Sequence, residues 1–211
     1  MPRSSRTRER ILLRATSEFA RKGFDGARMD EIAARCRVHK YTVYYYFGSK
    51  EGLFIAVLDH VNQMFRARQR EISVRGLAPV PAMRQLVRHT FAAFLEHPEA
   101  VAIMNSENIH KGRHIRRLDG LRELYNPLVE TIREVIKKGA KEGIFRRNLD
   151  PVTIYIALSG LCYVYIANRF TLEAIFGLNM VSKTSQKSWV RDVTDMVLSY
   201  CRNNARRTRS K

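Results

Sequence analysis

The chain has 211 residues, 45% of them hydrophobic, and its 38 lysines and arginines against 20 acidic residues give a net charge of +18. A surplus of this size favours a partner that carries phosphate, since neutralised phosphates release condensed counterions, although a basic protein without such a partner is the plainer alternative. Three widely spaced cysteines with no CxxC or cysteine–histidine pattern argue against a disulfide scaffold and a structural zinc ion, and they indicate a reduced, cytoplasmic protein.

No targeting or membrane segment is expected. The sequence starts with the charged run MPRSSRTRER, and no apolar segment of the kind found in signal peptides follows it. The most apolar stretch, residues 152–167, is shorter than the roughly 20 residues that a membrane span requires and includes Tyr155, Ser159 and Tyr163. We therefore expect no membrane partner.

The first 50 residues predict three helices. An apolar stripe at helical spacing defines the first helix, which ends at Gly23 and places Arg8, Arg14, Glu18 and Arg21 on the solvent side. Two short helices follow at 29–35 and 39–46, joined by a turn at 36–38. Ser49 can cap a fourth helix, with Gly52 standing where a capping box would have glutamate.

The remaining sequence continues in helical periods, interrupted by glycine and proline. The predicted helices are 50–75, 81–96, 99–108, 119–142 with a kink or restart at Pro127, 151–176 and 186–203, and the basic segment 110–117 between them is irregular. No segment alternates at period two. We predict an all-α fold of about nine helices, with a small basic head and a larger apolar body.

Residues 29–47 have the pattern of a helix-turn-helix. In that motif the second helix enters the DNA major groove, which is about 12 Å wide, while the first helix braces it. The side chains that can hold the two helices together from inside are Ile32, Ala33, Val38, Val43 and Phe47. The outer face then carries His39, Lys40, Tyr41, Thr42, Tyr44 and Tyr45. Successive helical residues are about 100° apart, so at least one of three consecutive tyrosines must be exposed.

The run VHKYTVYYYFGSKEGL at 38–53, preceded by Gly23-Phe24 and by Asp30-Glu31-Ile32-Ala33, resembles the TetR family of bacterial regulators. The resemblance implies a DNA-binding domain at 1–50 with three helices and an effector-binding and dimerisation domain at 51–211. It implies a sequence-specific transcriptional regulator, typically a ligand-responsive repressor that binds a palindromic operator as a homodimer. An activator is the alternative within the same family.

The resemblance also implies roles for single residues. Tyr44 and Lys50 would contact phosphates of double-stranded DNA, Thr42 a phosphate or a base, and Lys40, Tyr41 and Tyr45 would lie nearest the base edges. The chain departs from the family at three positions. Ala27-Arg28 replaces the usual threonine pair, which removes a helix cap but lets Arg28 contact phosphate; Arg37 replaces a glycine, at a cost in left-handed strain; and Tyr41 replaces a small residue.

Both ends of the sequence are basic. Arg3, Arg6 and Arg8 form either an arm that contacts the minor groove or phosphates, or a solvated tail. The run 202–211 closes the sequence, and short basic ends of this kind are usually mobile tails.

The body contains a mixed set of apolar and polar side chains that suits a small-molecule pocket or, as the plainer alternative, an ordinary core. The residues are Phe91, Phe94, Met104, Asn105, Asn108, Tyr155, Tyr163, Asn168, Arg169 and Phe170. The family resemblance favours a pocket for an unidentified effector. It also implies that the helices near 151–176 and 186–203 pair with their copies in a homodimer.

Three further functional classes are disfavoured: a metal protein, an enzyme and a protein that coats DNA without sequence choice. His110 and His114 stand four residues apart and can share a helix face, but no third metal ligand accompanies them, and we expect no metal or other cofactor. No nucleophile elbow, phosphate loop or metal triad supports an enzyme. A protein that coats DNA without sequence choice would explain the charge, but it would not need a large apolar body.

Overall fold

The computed structural model describes residues 3–203, so the last eight residues of the predicted basic tail lie outside the described part of the chain. Within it the chain folds into ten α-helices, which confirms the all-α prediction. They are α1 Arg3–Gly26, α2 Met29–Arg35, α3 Lys40–Phe47, α4 Lys50–Arg70, α5 Pro79–Glu96, α6 Pro98–Ile109, α7 Leu121–Lys141, α8 Pro151–Ala167, α9 Arg169–Phe176 and α10 Lys183–Cys201. A short 3₁₀ helix, Ile115–Arg117, precedes α7.

The helix count exceeds the predicted nine because the segment 151–176 is two helices. Asn168 has φ −105° and ψ 12°, outside the helical region, and α8 and α9 meet there at an angle of 71°. Apolar periodicity continues across this bend and could not reveal it. No single helix in residues 3–203 is long and apolar enough to cross a membrane, and α8 and α9 would reach that length only as a bent pair.

The described residues form two compact units, each with its own core. The first comprises the chain up to Phe65 together with His97–Leu121. Its largest fully buried side chains include Phe19, Ile32 and Phe54, and α1 packs against α2 and α6. Gly23 interrupts α1 with φ 68°, a left-handed conformation that suits glycine.

The second unit comprises Arg66–Glu96 and the chain from Arg122 onwards. In it α5 packs against α8 and α10, with Met83, Leu86 and Ile154 among the fully buried side chains. The Asp150 carboxylate accepts hydrogen bonds from the backbone N–H groups of Val152 and Thr153, and this N-cap explains why α8 begins at Pro151.

The three cysteines are buried and unpaired, as a reduced protein requires. Burial raises the pKa of the Cys162 thiol to about 12 and that of Cys201 to about 11. Both thiols therefore stay protonated at neutral pH and behave as small apolar core groups.

Candidate nucleic-acid interface

The predicted helix-turn-helix is present in the first unit. Ile32, Ala33 and Val43 are buried between α2 and α3, and Val38 and Phe47 are half-buried against the same core. The prediction of these five residues as the internal contacts of the motif is confirmed. A rigid pair of helices of this kind can present one face of α3 to a partner without deforming.

The turn between the two helices uses a left-handed residue. Arg37 has φ 50°, and the backbone N–H of Val38 then donates to the carbonyl of Ala33 at 3.1 Å. A side chain in this region costs about 1–2 kcal/mol relative to glycine. The strain predicted for Arg37 is therefore found.

The face of α3 that points away from the core is aromatic. Tyr41 exposes 77% of its surface, Tyr45 72% and Tyr44 38%, whereas Tyr46 packs against the core of the first unit. His39 and Lys40 are exposed beside them, and Thr42 is half-buried. Exposed phenol rings are unfavourable in water without a partner, and their hydroxyls can donate to phosphate or base acceptors.

Lys40 is not free in this surface. Its Nζ lies 2.8 Å from Oδ1 of Asp30 on α2, and this hydrogen bond raises the pKa of the lysine. To contact a base, the Lys40 ammonium group must therefore break its ion pair with Asp30. The exchange costs little in water, because exposed ion pairs are weak.

Arg28 and Lys50 flank the motif at its two ends. Arg28 is exposed at the N-cap of α2 and makes no side-chain cap hydrogen bond, so the predicted loss of a cap is confirmed. Lys50 donates from Nζ to the backbone oxygen of Asp25 at 3.0 Å and lies 5.1 Å from the centre of the Phe24 ring. An ammonium group has three donors, so two of them remain for a phosphate.

The geometry of the junction between α3 and α4 explains why Gly52, and not glutamate, occupies the third position of the predicted helix cap. The Ser49 hydroxyl accepts from the backbone N–H of Gly52 at 2.9 Å, as an N-cap does. A methyl group added at Gly52 would lie 2.2 Å from the backbone oxygen of Phe47. Glutamate is therefore sterically excluded from this position, and the backbone passes from α3 to α4 at close range.

Glu18 contradicts the prediction that it faces solvent. Its carboxylate is fully buried and lies 3.0 Å from Arg21, 2.9 Å from Lys22 and 3.2 Å from Arg35 of α2. Burial alone would raise the pKa of Glu18, but the hydrogen bonds from Lys22 and Arg21 outweigh it and hold the pKa below its ordinary value. The spacing of Glu18, Arg21 and Lys22 is also that of a solvated helix face, so sequence gave no sign of burial.

The N-terminal arginines belong to a helix. Because α1 begins at Arg3, Arg6 and Arg8 do not form an extended arm in this structure. The Arg8 guanidinium lies 5.1 Å from the centre of the Phe47 ring. The side chain of Arg3 lies outside the described atoms.

A second buried ionic group stabilises the segment after α6. Glu107 accepts from the backbone N–H groups of His114 and Ile115 at 2.8 and 2.9 Å, and its other oxygen lies 2.7 Å from Nδ1 of His114. His110 instead faces Asp25 at 3.4 Å. Among residues 3–203 no three histidine, cysteine or acidic side chains are placed to share a metal ion.

The ten predicted effector residues lie in both units. Met104, Asn105 and Asn108 are in the first unit, where Met104 packs against the core and Asn108 donates to the Met104 carbonyl at 3.0 Å. The other seven are in the second unit.

The seven residues of the second unit make separate contacts. Phe91 meets Tyr165 edge-on at 5.4 Å, and Phe94 meets Tyr163 at 5.6 Å. Tyr155 accepts a hydrogen bond from Arg66 at 3.1 Å. Asn168 ends α8, and Arg169 lies over the ring of Phe170, which is exposed.

Comparison with family models divides the chain in two. Residues 11–57 match the model described as "Bacterial regulatory proteins, tetR family". Residues 79–197, more than half of the 211, match "Tetracyclin repressor-like, C-terminal domain". The first match contains the whole helix-turn-helix, and the second contains α5 to α9 and most of α10.

Characterised relatives and solved structures agree with the models. The chain is 34% identical over 195 residues to the HTH-type transcriptional repressor NicS of Pseudomonas putida, covering 92% of each chain. It is 32% identical over 96 residues to the HTH-type transcriptional regulator RutR of Escherichia coli, covering 46% of this chain and 45% of RutR. A TetR transcriptional regulator from Chloroflexus aurantiacus has the same fold, with a TM-score of 0.73 at 19% identity over 96% of this chain and 99% of that one.

Proposed function

The chain belongs to the TetR family of bacterial transcriptional regulators, and from that premise we propose that it is a ligand-responsive repressor that binds a palindromic operator as a homodimer. The family consists of regulators, not enzymes. We place the protein in the cytoplasm, where an operator is accessible to it. Repression, rather than activation, is supported by the relative NicS, which is named a repressor.

The observation that carries the proposal is the exposed aromatic face of α3. Tyr41 and Tyr45 are almost fully exposed on a short helix whose opposite side is anchored by the buried Val43. An ordinary soluble surface has no need of such a patch, but a helix that enters the major groove places hydroxyls and ring edges against bases. We assign the base contacts to His39, Lys40, Tyr41 and Tyr45.

Phosphate contacts would hold α3 in register. We assign them to Arg28, Thr42, Tyr44 and Lys50, which lie before, within and after the motif. Such contacts fix the orientation of the protein on the duplex and carry no sequence information themselves. Since each neutralised phosphate releases counterions, binding should weaken steeply with salt.

Dimerisation would supply the second reading helix. We propose a seam formed by α8, α9 and α10, the helices near 151–176 and 186–203. Exposed apolar side chains on α8 and α10, including Ile156, Val164, Met196 and Tyr200, support it, because isolated proteins rarely expose several such groups together. Two reading helices one turn of DNA apart, about 34 Å, require a palindromic operator.

We also keep the division of the chain into a DNA-binding domain at 1–50 and an effector-binding and dimerisation domain at 51–211. The two family matches, 11–57 and 79–197, support it. We propose that the effector is bound in the second unit, by the members of the predicted set that lie there: Phe91, Phe94, Tyr155, Tyr163, Asn168, Arg169 and Phe170. The free energy that couples effector binding to operator release equals the difference between the free energies with which the effector binds the DNA-binding state and the released state.

Selection of bound duplexes from a random pool tests the proposal. The full chain should enrich one inverted repeat, whose symmetry reports the dimer, and an excess of random DNA should leave that site bound. Enrichment of no sequence, with binding lost to random competitor, would identify instead a protein that coats DNA without sequence choice.

A further inference from the structure

An apolar groove with a basic rim lies between α5 and α10 of the second unit. Its volume is about 620 Å³, within the range of roughly 300–1,000 Å³ of small-molecule sites. Its floor is formed by Phe91, Ala92, Leu95 and Val190. Of the ten residues predicted to bind an effector, Phe91 lines this groove, so the groove is a different place from the predicted set as a whole.

The rim of the groove has one sign of charge. The described residues that line it include five cations and no acid, and the cations are Arg84, Arg88, Lys183, Lys187 and Arg191. A cleft lined by like charges concentrates the potential of its walls and attracts an ion of opposite sign.

Among the described residues, four of the five cations make no salt bridge. Arg191 pairs with Asp192 at 3.1 Å and donates to Ser188 at 2.8 Å. No carboxylate within residues 3–203 lies within salt-bridge distance of the other four. Four unpaired cations around one apolar floor repel each other, and an anion among them would relieve that repulsion.

We propose that this groove binds an amphipathic carboxylate, a small molecule whose apolar body covers the floor while its anionic head meets the rim. The apolar floor alone would bind any apolar molecule, and the basic rim alone would bind any anion. Together they select molecules that have an apolar body and a negative charge. The proposed dimer partner does not occupy this groove, because Ile156, Val164, Met196 and Tyr200, which support the dimer interface, do not line it. This site lies outside the helix-turn-helix, and its occupancy does not depend on operator recognition.

The one tryptophan of the chain, Trp189, is linked to the groove through one ring. It stacks on Tyr165 at 5.4 Å, and Tyr165 meets Phe91 of the floor edge-on at 5.4 Å. A ligand on Phe91 should therefore change the fluorescence of Trp189, and equilibrium dialysis measures binding independently of that change. The full-length protein is titrated without DNA with decanoate, with decanol and with butyrate, all below the concentrations at which they aggregate.

The proposal predicts saturable binding of decanoate at least tenfold tighter than binding of decanol, which lacks the charge, or of butyrate, which lacks the apolar body. Equal affinity for decanol would show a purely apolar site, and equal affinity for butyrate a purely ionic one. Either result, or no binding of decanoate, overturns the proposal. Since no DNA is present, failure here leaves the proposed operator binding untouched.

Charge reversal locates the site. Arg88→Glu and Lys187→Glu, one on each helix, should each weaken decanoate binding about tenfold. Lys137→Glu, an exposed lysine of α7 that does not line the groove, makes the same change in net charge and should leave binding unchanged. Circular dichroism melts confirm that the three variants fold. Equal weakening by Lys137→Glu would place decanoate elsewhere and contradict the assignment.

Discussion

At the scale of single residues, the buried carboxylate of Glu18 has the clearest consequence. It draws Arg21, Lys22 and Arg35 to one point and so joins α1 to α2, the brace of the reading helix. Three cations around one buried carboxylate leave the charge well compensated. Removal of the carboxylate would break the link from α1 to Arg35, whereas Arg21 and Lys22 would keep their pairing with Glu31.

Glu18→Gln should therefore lower the free energy of unfolding at pH 7 by about 2 kcal/mol. The pKa of Glu18 is lowered in the folded protein from its ordinary value of 4.5, so its contribution is complete above that value and is lost as the pH falls through the lowered pKa. Urea unfolding at pH 7 and at pH 3 should show a difference between wild type and variant that shrinks at the lower pH. A difference that is constant with pH would contradict the assigned ionic role.

Features of single residues could be predicted from the sequence where they depend on one short segment, and could not where they depend on contacts between distant residues. The strain at Arg37 and the missing cap at Arg28 were predicted, because turn and cap geometry depends on the residues of one short segment. The burial of Glu18 and the Lys40–Asp30 pair were not predicted, because the first depends on packing of α1 against α2 and the second joins α3 to α2. The Glu107–His114 pair, which is seven residues apart, likewise had no local signature.

At the scale of elements, the junction between α3 and α4 determines the position of α3, the proposed recognition helix, relative to α4. The two helices are separated by Gly48 and Ser49 alone, and Gly52 lets the first turn of α4 approach the Phe47 carbonyl. A rigid backbone atom cannot move aside as a flexible side chain would. The close approach of α3 and α4 thus requires that residue 52 has no Cβ atom.

Gly52→Ala should destabilise the protein by about 1–3 kcal/mol and weaken operator binding, although alanine ordinarily stabilises a helix. Gly26→Ala is the matched control, because its added methyl group meets Lys22 Cβ at 3.4 Å, an ordinary contact. Thermal melts and operator titrations of both variants measure the effects. A Gly52→Ala protein as stable as the control would show that the junction can relax.

Helix boundaries were likewise predicted where a local signal marks them and missed where none does. The starts of α2, α3, α4 and α8 lie within one or two residues of prediction. Ser49 marks the start of α4 and Pro151 that of α8, whereas α2 and α3 begin without a side-chain cap and were found from the apolar pattern. The end of α4 at Arg70 and the bend at Asn168 were missed. Helical periodicity alone does not register a change of direction when apolar residues continue on both sides.

At the scale of the whole molecule, recognition of a palindrome requires two copies. The all-α architecture was predictable from periodicity and the family from the motif at 38–53, because both signals are carried by contiguous sequence. The arrangement of the proposed effector residues was not, because it depends on contacts between distant helices. Phe91 contacts Tyr165 and Tyr155 accepts from Arg66, both outside the predicted set, whereas Phe94 contacts Tyr163, a member of it.

Sedimentation velocity should find the full chain as a dimer at micromolar concentration. Ile156→Glu, at a position of α8 that is 62% exposed, should shift it to a monomer because a charge in an apolar seam lacks a partner. Ile109→Glu, 77% exposed on α6 of the first unit, is the control and should leave the dimer intact. A monomeric wild type, or a dimeric Ile156→Glu protein, would contradict the proposed seam.

Contact between α3 and DNA is tested most directly by a fluorescence-anisotropy titration of the selected operator with wild type, Tyr44→Phe and Tyr46→Phe. Tyr44 is exposed on the reading face and would donate its hydroxyl to a phosphate, whereas Tyr46 packs against the core. Loss of the Tyr44 hydroxyl should weaken binding about fivefold, while Tyr46→Phe binds as wild type does. Equal affinity of all three proteins, or weakening confined to Tyr46→Phe, would contradict operator recognition by this face of α3.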